Sequence, residues 1–80
     1  MERLGIIEEL TGIFREIFND STIVLSDSLT ADDVATWDSL SHMLLITEIE
    51  DKFNIKFKLR ELNKMKNVGA LISIIQTKLN

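Results

Sequence analysis

The 80-residue chain has no cysteine, no proline and no tyrosine, and it holds one histidine and one tryptophan. Without cysteine there is no disulfide framework and no thiolate metal site. The absence fits a reducing compartment, and a cytoplasmic location is expected. A single histidine argues against a histidine-based metal cluster or a catalytic pair of imidazoles. No apolar run approaches the ~20 residues that span a bilayer, the longest unbroken one being Met43–Ile46. Met1-Glu2-Arg3 leads into an amphipathic pattern and not into a signal-peptide core. Only three glycines interrupt the chain, and it holds no repeat and no low-complexity segment.

What is present is enough for one small core. Hydrophobic residues make up 45% and charged residues 28%, too apolar for a disordered tail. The expectation is a single domain over residues 1–80. A domain of this size buries only about 60% of its unfolded surface, which disfavours a large enclosed substrate chamber. Net charge is −4, but it is unevenly spread. Residues 1–51 carry twelve acids and two bases; residues 52–80 carry one acid, Glu61, and seven bases. The basic stretch holds Lys52, Lys56, Lys58, Arg60, Lys64 and Lys66. It lacks the aromatic interleaving or helix-turn-helix pattern of a nucleic-acid binder, so it reads as a solvated face that pairs within the domain.

Hydrophobic spacing predicts four helices. Over residues 2–18, Leu4, Ile7, Leu10, Phe14 and Ile17 recur every three or four positions, widened by Ile6, Ile13 and Phe18. Residues 19–38 read as a long loop. Ser21–Leu25 has strand composition, but a lone strand finds no partner, so Ile23, Leu25 and Leu29 are expected to pack inward from a loop. Thr30-Ala31-Asp32-Asp33 resembles a capping box and predicts a short helical turn near 31–36.

Asp38 is a strong N-cap for a second helix over 39–53, accepting from the amide of Leu40 or Ser41. At ~100° per residue, Leu45, Ile46, Ile49 and Phe53 form its core face. Leu40, Met43, Leu44 and Thr47 fall on another face beside Glu50 and Asp51. This helix therefore carries more apolar surface than one core contact requires. Leu59, Leu62 and Met65 suggest a short third helix near 59–64. Asn67 caps a fourth over 68–79, with a stripe of Val68, Leu71, Ile72, Ile75 and Leu79. The fold class is all-α, a four-helix bundle with a short third helix and a long first connection.

The informative segment is Trp37-Asp38-Ser39-Leu40-Ser41-His42. With Asp38 as N-cap, Ser39 is the first helical residue, exposed at the end of the loop. Unpaired amides and partial positive charge at a helix start favour a phosphate there. Ser39 is a poor self-activated nucleophile, because His42 lies about 300° around the helix and has no orienting partner. Trp37 reads as a structural side chain covering the core, and His42 as a partly exposed helix residue.

The chain resembles the acyl carrier protein family over nearly its whole length. The resemblance rests on Asp38-Ser39-Leu40, Ile46, Glu48-Ile49-Glu50, Phe53, Ile55, Phe57, Leu62, Val68 and Leu71. Asp-Ser-Leu alone is an ordinary helix start; with the downstream Glu-x-x-Phe-x-Ile spacing it becomes specific. The resemblance implies a bundle of the acyl carrier type and a carrier in place of an enzyme. It implies that a magnesium-using phosphopantetheinyl transferase attaches 4′-phosphopantetheine from coenzyme A to Ser39, flanked by Asp38 and Leu40. The arm's thiol then holds acyl or aminoacyl cargo for loading and processing enzymes. By the same resemblance, Leu40, Met43 and Thr47 dock those partners; Leu44 extends the apolar face, and Glu50 and Asp51 give it an acidic margin suited to a basic patch. Ile46, Phe57, Leu62 and Met65 line the cargo space, which their bulk should leave small or largely closed. Fatty-acid-type carriers usually bear more acid along the second helix; Ser41 and Leu44 stand where acids are common. The Trp-Asp-Ser-Leu variant looks like free-standing carriers of specialised pathways, such as surface-polysaccharide or secondary-metabolite assembly. A monomer is expected. The competing reading is an unmodified helical adaptor that binds a partner through the second helix; a hydrolase using Ser39 lacks a base.

Overall fold

The computed structural model describes residues 2–79. Helix α1 spans Arg3–Ile17, α2 Ser39–Phe53, α3 Leu59–Leu62 and α4 Val68–Leu79. A 3-10 turn occupies Ala31–Asp33 in the long first connection. No strand occurs among the described residues. α1 packs against both α2 and α4.

The core follows from the helical period. α1 contributes Ile6, Leu10, Ile13 and Phe14; α2 contributes Leu45, Ile46, Ile49 and Phe53; α4 contributes Val68, Leu71, Ile72 and Ile75. Leu4 departs from expectation and stays 66% exposed. At ~100° per residue it lies about 120° from the centre of the stripe set by Ile6, Leu10 and Phe14. Ile7 and Ile17 sit at the margin, packed against the core but half-buried. The third helix is shorter than the predicted 59–64, because after Leu62 the chain tightens into i→i+3 turns, Lys64 N–H to Glu61 O and Met65 N–H to Leu62 O.

The first connection is loop, held inward by three residues as predicted: Ile23 is buried, and Leu25 and Leu29 are half-buried against the core. Val24 between them points to solvent. Thr30 and Asp33 form their capping box: the Thr30 amide donates to Asp33 Oδ2 at 2.9 Å, and the Asp32 amide to Thr30 Oγ1 at 3.2 Å. The loop also caps α4. Val68 and Gly69 donate their amides to the carbonyls of Leu29 and Asp27 at 2.9 and 3.0 Å. Asn67 adds the expected cap, its Oδ1 accepting from the Ala70 amide at 2.8 Å. These bonds satisfy amides that the start of a helix leaves without partners. They also tie the start of α4 to the loop that delivers Trp37, Asp38 and Ser39.

Part of the charge asymmetry is resolved within the fold. Lys52 pairs with Glu9 at 3.1 Å, and Lys78 with Glu61 at 2.8 Å, joining α4 to α3. Lys56, Lys58, Arg60, Lys64 and Lys66 are exposed, and none of them has a salt bridge among the described residues.

Candidate functional site: the start of the second helix

Asp38 has an extended backbone and stops the loop from entering the helix early. Its Oδ1 accepts from the Ser41 amide at 2.9 Å, and Ser41 Oγ in return accepts from the Asp38 amide at 2.8 Å. The amide that Asp38 caps is therefore that of Ser41. Ser41 Oγ also donates to the carbonyl of Thr36 at 2.9 Å, joining the cap to the loop before it. The Ser41 backbone and side-chain bonds hold the Asp38 carboxyl below its ordinary range. The N-cap is thus a charged acceptor at neutral pH.

Ser39 is the first residue of α2, and its side chain is exposed. It shares an open groove of about 560 Å³ with Trp37, His42, Met43, Met65 and Lys66. Ser39 and Leu40 belong to the first turn, whose amides have no acceptor within the helix. An oxygen-linked phosphate on Ser39 would meet those amides and the positive end of the dipole. The groove beside it offers aromatic and thioether surface to an attached chain.

Trp37 is fixed from both sides. Its ring meets Phe14 edge-on at 5.3 Å and Phe18 at 5.6 Å. Its indole N–H donates to His42 Nδ1 at 3.1 Å, and the two ring planes lie near-parallel, 19° apart with centroids at 6.1 Å. Trp37 therefore covers the core, as expected, while one edge lines the groove. His42 accepts through Nδ1, so that nitrogen carries no proton. Burial lowers its pKa below 6.5 and keeps the ring neutral. It has no contact with Ser39 of the kind a general base needs. Sequence reasoning missed this pair; the five-residue spacing across a loop-to-helix junction carried no periodic signal.

The remaining site residues separate into groups. Leu40, Met43 and Leu44 are exposed at 74%, 54% and 53%, so the loop does not cover them. At ~100° per residue, Leu40, Leu44, Thr47 and Asp51 form one row directly opposite the core face of α2. Glu50 turns elsewhere. It is half-buried, and its Oε2 accepts from the Phe57 amide at 2.9 Å, which anchors the link to α3. Of the residues expected around cargo, Ile46 is buried, and Phe57, Leu62 and Met65 are half-buried. Met65 alone of these four lines the groove at Ser39. No group of metal-ligating side chains occurs among the described residues.

Residues 5–75 match the family model described as the phosphopantetheine attachment site. Among solved structures, the chain is similar to the holo acyl carrier protein from Geobacter metallireducens, determined in solution by NMR. The two share 49% identity with a TM-score of 0.88, over 91% of this chain and 84% of that one. No curated protein matches. An all-helical bundle, a family model over most of the chain and a relative half identical in sequence place the molecule among carriers that bear 4′-phosphopantetheine and catalyse nothing themselves. The chain belongs to the acyl carrier protein family.

Proposed function

We propose that Ser39 is the attachment residue and that the protein carries acyl or aminoacyl groups on the arm it holds there. The observation that carries this reading is the exposed Ser39 side chain on the first turn of α2, beside an open groove and held at the helix start by the Asp38–Ser41 box. In attachment, Ser39 Oγ bonds to the phosphorus that bears the pantetheine in coenzyme A. The bond to the nucleotide phosphate breaks, and the hydroxyl proton leaves to a base. His42 is not placed for that role, since its Nδ1 is engaged by Trp37. We assign the base and the magnesium to a separate transferase. When bound, the group supplies a terminal thiol for thioester linkage. The chain's own part is to orient: the first-turn amides of α2 would hold the phosphate, and Trp37, Met43 and Met65, which line the groove, would offer apolar surface to the pantetheine.

Docking falls to Leu40, Met43, Leu44 and Thr47, with Asp51 at the margin. Glu50 enters only by fixing the neighbouring link. Cargo contact falls to Met65 at the groove and to Phe57, Leu62 and Ile46, whose bulk we expect to leave little open space for a long chain. The partners are loading and processing enzymes. The Trp37-to-Leu40 motif and the sparse acid on α2 support a specialised pathway over bulk fatty-acid synthesis. We place the carrier in the cytoplasm, acting as a monomer.

Incubation with coenzyme A, magnesium and a broad-specificity phosphopantetheinyl transferase tests the assignment. One phosphopantetheine mass increment is expected on the wild-type chain and none on Ser39→Ala. An increment that survives Ser39→Ala would move the site. No increment on a folded wild-type chain would favour the adaptor reading.

A further inference from the structure

His42 uses one ring nitrogen and leaves the other free. Nδ1 accepts from the Trp37 indole N–H at 3.1 Å. An indole N–H only donates, so Nδ1 presents its lone pair and the neutral ring carries its proton on Nε2. Nε2 makes no hydrogen bond among the described residues. It is not sealed from water either, since no buried side-chain nitrogen or oxygen there lacks a partner. His42 and Ser39 line the same groove. Standing three residues apart on one helix, they are surface neighbours, with Cβ atoms about 5–6 Å apart. Two charged groups share that groove, Asp38 and Lys66. The Asp38 carboxylate accepts from the Ser41 amide. Neither contributes to the lowered pKa of His42, whose one cause is burial. From α1, Phe14 and Phe18 pack on Trp37 and bring no charge.

We infer that Trp37 fixes the tautomer of His42 so that its Nε2–H donates to the phosphodiester borne on Ser39. The inference rests on the assignment of Ser39 as the attachment residue and adds a side chain that holds the arm at its root. The tautomer decides what the groove presents to an anion. With the proton on Nε2, the ring offers a donor. With the proton on Nδ1, it would offer a lone pair, which repels a phosphate oxygen. Trp37 therefore acts on the arm through His42, as a positioning residue. The amides in the first turn of α2 supply the other donors. A hydrogen bond to an ionised acceptor is stronger than one between neutral groups, so this contact restrains the arm where it leaves Ser39. It also links loading to protonation. A phosphodiester carries a negative charge, and an anion beside an imidazole favours the imidazolium. Loading should therefore move the His42 titration midpoint upward. Asp38 and Lys66 are present before and after loading, so the difference between the two forms belongs to the phosphate.

The chain holds one histidine and one tryptophan, so both rings give unambiguous signals. The ¹⁵N-labelled full chain is measured before and after loading with coenzyme A, magnesium and a phosphopantetheinyl transferase. Before loading, long-range ¹H–¹⁵N spectra at neutral pH should show the proton on Nε2, and the indole N–H resonance should move as His42 titrates. Trp37→Phe removes the indole donor, and the two tautomers should then mix. After loading, the Nε2 proton should exchange more slowly with water, the His42 midpoint should rise, and the ³¹P resonance of the arm should titrate with His42. In His42→Gln that ³¹P inflection should disappear while the arm stays attached. Three outcomes overturn the inference: a proton on Nδ1 in the unloaded chain, an Nε2 proton that exchanges equally fast in both forms, or a ³¹P resonance indifferent to His42. All three are read on the wild-type chain, so a variant that fails to fold does not shield the inference. Mass spectrometry of the same samples separates the two levels. An increment that is lost in Ser39→Ala, together with any overturning outcome, sinks the His42 contact alone. No increment on the folded chain, or one that survives Ser39→Ala, sinks the Ser39 reading and the contact with it.

Discussion

Gly69→Ala and Gly12→Ala are the same chemical change, and the structure gives them opposite signs. Gly12 lies in α1, and a Cβ built on it meets nothing within 4 Å. Alanine there gains helix propensity, about 1 kcal/mol. Gly69 lies in the first turn of α4 against the loop. A Cβ on it meets Asp27 Cβ and the Asp27 carbonyl oxygen at 3.0 Å, and Asp27 Cα at 3.2 Å. Two of those atoms are backbone, so the contact cannot be relieved by turning a side chain. Relief requires moving Asp27, whose carbonyl accepts from the Gly69 amide at 3.0 Å.

Overpacking of this kind costs about 1–3 kcal/mol. Weakening the cap bond adds roughly 1 kcal/mol. The propensity gain offsets about 1 kcal/mol at most. Gly69→Ala should therefore destabilise by roughly 1–3 kcal/mol. At ~4–8 °C per kcal/mol, its Tm should fall by about 4–24 °C, while that of Gly12→Ala rises by about 4–8 °C. Circular-dichroism melts read both. Denaturant titration checks that the m value stays constant, so that stability and not compactness has changed. Amide exchange should accelerate at Val68 and Gly69 beyond the global loss. If Gly69→Ala melts at or above the wild-type temperature, the loop does not cap α4 in the way described.

The same geometry sets three further outcomes. Because the folded state holds His42 neutral and lowers its pKa below 6.5, its contribution is fully present above pH 6.5 and is lost as pH falls through the lower folded value; Tm measured from pH 7.5 to 4.5 should show this decline, and His42→Gln should flatten part of it. Leu45→Ala opens a cavity at a fully buried position and should cost about 2–5 kcal/mol, whereas Leu44→Ala at an exposed one should stay within about 0.5 kcal/mol in a denaturant titration while slowing transfer by a partner enzyme. Glu50→Ala removes the acceptor of the Phe57 amide and should cost about 1 kcal/mol, with faster exchange at that amide; unchanged exchange there would mean the link is held by other contacts.

How much of this is legible in the sequence depends on whether the signal is local. The core faces of α2 and α4 are legible, because Leu45–Phe53 and Val68–Ile75 repeat at helical spacing. The Asp38 cap and the Thr30–Asp33 box are legible for the same reason, each being a motif of four residues. What escapes is long-range or depends on direction. The Leu29 and Asp27 carbonyls cap α4 across some forty residues, and no sequence pattern marks a carbonyl acceptor. Glu50 reads as part of an acidic margin until its bond to Phe57 turns it away. Leu4 counts as core by spacing from Ile7, yet the stripe is centred on Ile6, Leu10 and Phe14. Ser39 itself is legible by composition and position, whereas the groove beside it requires the Trp37–His42 pair to be seen in three dimensions.

That pair joins stability to function at one junction. Trp37 contacts Phe14 and Phe18 on one side and lines the Ser39 groove on the other, so the wall of the groove is also the lid of the core. Any arm or partner that displaced the indole would expose Phe14 and break the bond to His42. Native packing tolerates such opening poorly. Under the proposed assignment of Ser39, the groove wall is stiff where the arm would be anchored, while the exposed leucines of α2 support nothing beneath them and can change without loss of fold. A carrier that serves several enzymes needs this separation: the anchor point must stay fixed from one encounter to the next, and only the surface around it has to be renegotiated.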